Sequence, residues 1–432
     1  MPVNVRPSSS NRTDAQRRAA SGPASADNGV LLLLTALAAA ALLGLPLMSA
    51  APNRLMSGNP IWGVLLLQGP LAWPAAGIAC AMLMLGGLIF VVRWRSLRVA
   101  ALAWALMVTT GLIPGLLWLA GAQAALLAQT GSAVARTTLA SGFWVVCGLL
   151  ALLGVELARK LKAGPVLRGM GALAVIFLLG CLWTTGACDE LSLVKEFAIR
   201  ADVFWPALWR HAEIVALSLG FSLCLGLPLG WWGYRQPGLR RVMLAVLNVL
   251  QTIPSMALFG LLLAPLAWLV EAVPLMARLG MGGVGVVPAV IALTLYGLLP
   301  VVRGAMAGLA QVPVGVLQAA HSMGLSAGQV LRWVQFPLAL PVALGGVRTA
   351  AVQLVGLAAV AALIGAGGLG ALMFEGLFSA TQDVVLLGVL PIVAMGVLVD
   401  AAFSGCTRMT WMARVARAAR AQAPASRVGG AA

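Results

Sequence analysis

The chain has 432 residues, of which 61% are hydrophobic and only 9% are charged. Its mean hydropathy of +0.99 excludes a soluble domain and indicates a polytopic membrane protein. The formal net charge of +16 does not indicate a nucleic-acid-binding protein, because the basic residues lie in short clusters between apolar runs. Such clusters are typical of membrane topology.

Ten apolar runs are long enough to cross a bilayer, which takes about 20 residues. They lie at 29–50, 71–92, 99–120, 141–158, 169–187, 207–234, 242–268, 285–303, 347–366 and 384–405. The fourth and fifth runs are short and closely flanked by charge, so the sequence predicts eight to ten spans. The predicted fold class is an all-α polytopic membrane protein with about ten transmembrane helices.

The basic residues also predict the orientation of these spans. If the N-terminus is cytoplasmic, 22 of the 28 lysines and arginines fall on the inner side, and most acids fall on the outer side or at the outer rim. The six basic residues left outside are Arg54, Arg136, Lys195, Arg200, Arg210 and Arg278. The positive-inside rule therefore places both termini and the 304–346 loop in the cytoplasm.

Charge and hydropathy divide the chain into five parts. Residues 1–28 are polar and are expected to form a disordered cytoplasmic tail, and residues 29–187 hold five spans without a recognisable polar constellation. Residues 188–206 form a charged external linker or amphipathic helix. Residues 207–405 contain the second five spans and all motif-like residues, and residues 406–432 form a basic cytoplasmic tail.

The residues that usually carry catalysis or bind metals are sparse. Most of the six cysteines lie inside apolar runs without CxxC spacing, and His211 and His321 are far apart, so neither a disulfide framework nor a metal site is predicted. The chain contains no GxxxxGK[ST] phosphate-binding loop and therefore should not hydrolyse ATP itself. An HExxH motif, paired aspartates in a span and a Ser/His arrangement are also absent from the sequence, which leaves a membrane-embedded enzyme without support.

A polar, helix-forming insert from Gln318 to Pro341 separates two long apolar runs. Alanines favour a first helix, Gly324 interrupts it, and Ser326 can cap a second short helix that Pro337 ends. The apolar residues of the insert are Leu325, Val330, Leu331 and Val334. Because they would cover nothing on a floating loop, they should rest against the protein's own helices or against a partner.

Prolines and glycines interrupt three apolar segments of the second half. Irregular backbone at membrane depth is tolerated only where it lines a cavity or is buried in protein. The segments 251–255, 296–300 and 364–370 are therefore the candidates for pore-facing segments. The candidate residues are Gln251, Thr252, Pro254, Ser255, Tyr296, Pro300, Gly367 and Gly368.

Tyr296 is one of only two tyrosines. Its aromatic face could attract a cation, although packing between helices explains the residue equally well. At Pro254 the missing backbone hydrogen bond frees a carbonyl that needs a partner such as Thr252 or Ser255.

The insert resembles the cytoplasmic coupling loop of ABC-importer permeases. The resemblance is carried by Gln318, where the family usually has glutamate, together with Ala319, Ala320, Gly324 and Pro337; Leu325 and Ser326 belong to the same loop. Four further stretches, 208–235, 250–263, 288–304 and 361–377, resemble the permease subunit of importers for glycine betaine, choline and related osmoprotectants.

This resemblance implies that the C-terminal five spans form a type I importer core in a bacterial cytoplasmic membrane. It also implies a second permease subunit, an ATP-binding subunit that carries ATP and magnesium, and a periplasmic or extracellular substrate-binding protein. No cofactor on this chain and no nucleic-acid partner are expected, and lipid surrounds the spans. The alternative from another class is an ion-coupled secondary transporter, which would have no need of a two-helix cytoplasmic insert.

Overall fold

The structure is a computed structural model. It describes residues 29–53, 58–91, 98–130, 135–273, 275, 282 and 284–421. The predicted N-terminal tail and the last part of the predicted C-terminal tail lie outside these residues. The chain divides between Lys195 and Glu196 into two compact units.

The first unit contains five apolar helices and a small sheet. The helices are α1 (Gly29–Gly44), α2 (Ala72–Val91), α3 (Arg98–Thr130), α4 (Ser141–Lys160) and α5 (Pro165–Thr184), and the short helix α6 (Ser192–Ile199) crosses the boundary between the units. The strands are β1 (Pro46–Ala51), β2 (Asn59–Trp62) and β3 (Arg136–Leu139), and both neighbours pair antiparallel with β1.

The all-α fold class is confirmed, and the three-stranded sheet is a small addition that the sequence did not predict. Its strands are four to six residues long, too short to give a recognisable alternating pattern. They lie in connections that follow or precede membrane helices, and pairing satisfies backbone groups that those connections would otherwise leave free. The sheet brings two inter-helix connections, α1–α2 and α3–α4, to one end of the first unit, as expected for helices that alternate in direction.

The second unit contains the remaining helices. They are α7 (Ala201–Arg235), α8 (Pro237–Thr252), α9 (Ser255–Ala272), α10 (Val286–Ala310), α11 (Val314–Ser322), α12 (Ala327–Gln329), α13 (Phe336–Val360), α14 (Leu369–Phe378) and α15 (Gln382–Ala421). The segment 188–206, predicted as a linker or amphipathic helix, is largely helical, since α6 and the start of α7 lie within it. Helix α15 extends into the predicted C-terminal tail.

Eight helical segments of the described chain are long and apolar enough to cross a membrane. The apolar parts of α1 and α2 coincide with the first two predicted spans but are shorter than the other eight. The interruption predicted at Pro254 is confirmed and divides the apolar run at 242–268, because α8 ends at Thr252 and α9 begins at Ser255. Pro254 cannot donate the backbone hydrogen bond that a continuous helix would need.

Helix α10 lies at the centre of the second unit and packs closely against two helices. A Cβ atom placed on Gly226 of α7 would lie 2.8 Å from Cγ1 of Val301, and one on Gly230 would lie 2.6 Å from Cβ of Ala305. The order of these contacts makes α7 and α10 parallel. Where α10 crosses α13, a Cβ atom on Gly304 would lie 2.7 Å from Cα of Gly346. Small residues thus allow the close helix packing that is common in membranes.

Candidate functional site

The polar insert folds as two helical pieces joined at Gly324. The Gly324 amide donates to the His321 carbonyl at 2.9 Å, and the Leu325 amide donates to the Ala320 carbonyl at 3.3 Å. These two bonds form a Schellman motif, which requires the left-handed conformation that Gly324 adopts at φ +81°. The predicted interruption at Gly324 is confirmed.

Ser326 begins the second piece with a reciprocal cap. Its hydroxyl accepts from the Gln329 amide at 3.4 Å, and Oε1 of Gln329 accepts from the Ser326 amide at 2.8 Å. This capping box confirms the predicted helix start.

The prediction that Pro337 ends the second piece is wrong. A π-helical stretch, Val330–Gln335, leads directly into α13, and Pro337 lies in the first turn of that helix. The wider turn closes with the Phe336 amide donating to the Leu331 carbonyl. Proline is tolerated in a first turn because its missing N–H needs no partner there.

The insert presents both buried and exposed apolar side chains. Ala320 and Val330 are buried, whereas Leu325, Leu331 and Val334 are half-buried, so part of the insert rests on the protein itself. Gln318 and Ala319 are exposed. Large apolar side chains on the insert and its flanks also face outward, namely Val314, Met323, Trp333 and Phe336, with Met323 81% exposed. An exposed apolar group of this kind marks a contact surface.

Two hydrogen bonds join the break between α8 and α9 to α10. The Tyr296 hydroxyl donates to the Ile253 carbonyl at 2.5 Å, and Nε2 of Gln251 donates to the Tyr296 carbonyl at 2.7 Å. Thr252 instead donates to the Val249 carbonyl at 2.7 Å. Tyr296 is therefore the partner of the Ile253 carbonyl at the break, while the Thr252 hydroxyl bonds back into its own helix.

Pro300 has the corresponding effect inside α10. A proline cannot donate to the carbonyl four residues earlier, which is that of Tyr296. The Gln251 amide occupies this acceptor, so α10 continues through Pro300 without the irregular backbone expected at 296–300. The two segments that contain Pro254 and Pro300 are thus joined by two hydrogen bonds, one donated by the Tyr296 hydroxyl and one accepted by the Tyr296 carbonyl. Tyr296 itself is only 4% exposed.

The glycine segment after α13 forms a separate feature. Gly365, Gly367 and Gly368 all have φ between 78° and 80°. Gly368 packs against His211 of α7, whose Cβ and Nδ1 would lie 3.3 Å from a Cβ atom at Gly368. The structure therefore groups Gln251 with Tyr296, and it places Gly367 and Gly368 beside the start of α7.

A buried polar row on α7 was missed from the sequence. His211, Ser218 and Ser222 are fully buried, and Thr294 of α10 is nearly so. The Ser222 hydroxyl donates to the Ser218 carbonyl at 2.7 Å and approaches the Thr294 carbonyl at 3.1 Å. The spacing of these residues on one face of an apolar helix is the signal that could have found them.

Two ion pairs link helices of the second unit. Arg348 of α13 binds Asp400 of α15 with two bonds of 2.6 and 2.7 Å. Arg200, just before α7, binds Glu375 of α14 and also Glu196. The hydrogen bond to Glu375 is the main reason that the pKa of Arg200 is raised, against an opposing effect of burial. Within the described chain, no group of three or more potential ligands could hold a metal ion.

Comparison with known families matches both halves of the chain. Residues 27–194 match the family described as "ABC transporter permease YehY, N-terminal domain", and residues 222–405 match "Binding-protein-dependent transport system inner membrane component".

Several curated proteins are similar over the second half. The osmoprotectant import permease protein OsmW of Salmonella typhimurium is 40% identical over 192 residues, 44% of this chain and 84% of its own length. The carnitine transport permease protein OpuCD of Listeria monocytogenes is 32% identical over 210 residues, 48% of this chain and 86% of its own. A solved structure of the MetNI methionine ABC transporter aligns with 49% of this chain and 97% of its own, at 24% identity and a TM-score of 0.43.

A polytopic helical core with a structured polar insert defines a membrane transport subunit. The chain belongs to the family of binding-protein-dependent transport system inner membrane components. It is thus a multi-pass inner-membrane permease subunit of an ABC importer, and the ion-coupled alternative is not favoured.

Proposed function

We propose that this chain is the permease subunit of an importer for glycine betaine or related quaternary ammonium osmoprotectants. The names of its relatives support this substrate class, since they include osmoprotectant, carnitine and glycine betaine/carnitine/choline permeases. ATP with magnesium binds and is hydrolysed on a separate subunit. A second permease subunit and an external binding protein complete the assembly.

The observation that carries this proposal is the rigid insert formed by α11, α12 and the stretch up to α13. Local caps at Gly324 and Ser326 fix its bend, and its outward apolar side chains suit a groove on the ATP-binding subunit. The termini and this insert face the cytoplasm.

The insert is also connected to the membrane helices in a way that suits transmission of movement. Only residues 311–313 separate α10 from α11. Nε2 of Gln311 donates to the Leu338 carbonyl of α13 at 3.2 Å. Movement of the insert on a partner would therefore reach α10 and α13 directly and alternate the access of the pathway.

Substitution at Gly324 tests the proposal. A Cβ atom there meets nothing within 4 Å, so the only cost of a side chain is the left-handed backbone. That cost is about 1–2 kcal/mol for ordinary residues, largest for β-branched ones and smaller for asparagine. Gly324→Val should lower co-purification of the ATP-binding subunit and ATP-driven uptake by roughly ten-fold. Gly324→Asn should be milder.

Gly260→Ala provides the control, because Gly260 has open space around it and no positive φ. It should leave assembly and uptake unchanged. Wild-type uptake and normal co-purification by Gly324→Val would contradict the coupling role of the insert.

A further inference from the structure

A cavity of about 670 Å³ opens in the second unit between the start of α7, the glycine segment and α14. Side chains that line it include Asp202, Trp209, Arg210, Glu213 and Glu375, and the backbone of Gly368 forms part of its wall. None of the hydrogen bonds described above for the insert or the proline break involves these residues.

The cavity lies at the end of the core opposite to the coupling insert. Gly230 of α7 packs near the end of α10 that leads into α11. Trp209 precedes Gly230 by 21 residues, or about 30 Å at 1.5 Å per residue. In the proposed orientation the cavity therefore faces the side from which solute arrives.

Carboxylates outnumber cations among the lining residues. Arg210 is paired with Glu213 at 2.9 Å, and Glu375 is paired with Arg200 from outside the lining. Asp202 is exposed and forms no ion pair with any residue that the structure describes. The electrostatic potential of the cavity therefore favours a cation.

Trp209 adds an aromatic face to this potential. Its side chain is 76% exposed although it lies in the cavity wall. Tryptophan provides the strongest cation–π surface among the side chains, and quaternary ammonium groups are recognised in this way.

His211 contributes a further polar atom behind the wall. Its side chain is fully buried, its Nε2 lies 3.1 Å from the Val355 carbonyl, and its Nδ1 has no partner in the described chain. A carbonyl partner requires Nε2 to donate, which leaves Nδ1 as an acceptor in a neutral ring. This unpaired acceptor lies against Gly368 of the cavity wall.

From these features we infer that the cavity is an outer site for the quaternary ammonium group of the solute, formed by Trp209 and Asp202. The inference rests on the proposed function, because that function supplies the class of solute. The site holds the solute briefly between its release from the external binding protein and its entry into the pathway. Weak, transient binding suits this position, since a transport intermediate must also leave.

Uptake of labelled choline and glycine betaine into vesicles holding the full complex, ATP and saturating binding protein tests the site. Trp209→Ala and Asp202→Asn should each lower the maximal uptake rate about two- to five-fold, the scale of one exposed cation–π or ionic contact. Trp209→Phe should recover most of the rate, because an aromatic face remains. Trp268→Ala and Glu271→Gln are matched controls on α9 and should transport normally, since neither residue lines the cavity.

The outcomes separate this inference from the proposed function. Uptake by the wild-type complex with unchanged rates for Trp209→Ala and Asp202→Asn would overturn the site alone. A higher half-saturating concentration of binding protein at an unchanged maximal rate would also overturn it, and would assign the surface to docking of that protein. Failure of the wild-type complex to take up either solute would overturn the proposed function and the site together.

Discussion

At the scale of single residues, Tyr296 connects two consequences of proline chemistry. Pro254 breaks the helix and leaves the Ile253 carbonyl to the Tyr296 hydroxyl, and Pro300 leaves the Tyr296 carbonyl to Gln251. Tyr296 therefore has a structural role at the centre of the second unit. Contact with a transported cation through its ring stays a prediction.

Tyr296→Phe separates these two roles. It keeps the aromatic ring but leaves a carbonyl at the helix break without its donor, a loss of about 1–3 kcal/mol when the group is buried. We expect a lower thermal midpoint of the purified complex and reduced uptake. Tyr234→Phe is the control, because no hydrogen bond of its hydroxyl is described, and it should change neither quantity. Equal midpoints for wild type and Tyr296→Phe would contradict the structural role.

Whether a contact of this site could be predicted depends on how far apart in the sequence its two residues lie. Gly324 and Ser326 were predictable because their caps involve residues within five positions. The Tyr296 bonds join positions 43 and 45 residues apart, and the Arg348–Asp400 pair joins positions 52 apart. Such contacts depend on helix packing that the local pattern does not specify.

At the scale of elements, glycines set how closely the central helices approach. Gly304 of α10 and Gly346 of α13 meet where any side chain would press into the opposite backbone. Hydropathy predicts the existence of both helices, because the bilayer thickness determines their length. It does not predict their crossing point, the π-helical entry to α13 or the three-stranded sheet, all of which depend on tertiary contacts.

Gly346→Ala should therefore destabilise the α10–α13 crossing. Its methyl group would lie 2.7 Å from Cα of Gly304, and such overpacking costs about 1–3 kcal/mol. The neighbouring Gly345 has open space around it, so Gly345→Ala should be neutral or slightly stabilising. Thermal unfolding of the two variants in the same detergent provides the comparison. Similar midpoints for both would mean that the close crossing is not required.

At the scale of the whole molecule, the membrane orientation is a proposal that labelling can test. Glu190 precedes α6 on the proposed outer side, and Met323 is highly exposed on the insert. In a background without the exposed Cys80, Cys224 and Cys406, Glu190→Cys should react with an impermeant maleimide in intact cells. Met323→Cys should react only after permeabilisation, and its labelling in intact cells would reverse the orientation.

The energy source distinguishes the proposed importer from an ion-coupled carrier most directly. The decisive measurement is uptake of labelled glycine betaine into vesicles that contain this chain with its ATP-binding subunit and receive the binding protein outside. We predict uptake that requires ATP on the side of the insert, stops without the binding protein and persists when ionophores abolish ion gradients. Uptake that an imposed sodium or proton gradient drives without ATP would contradict the account.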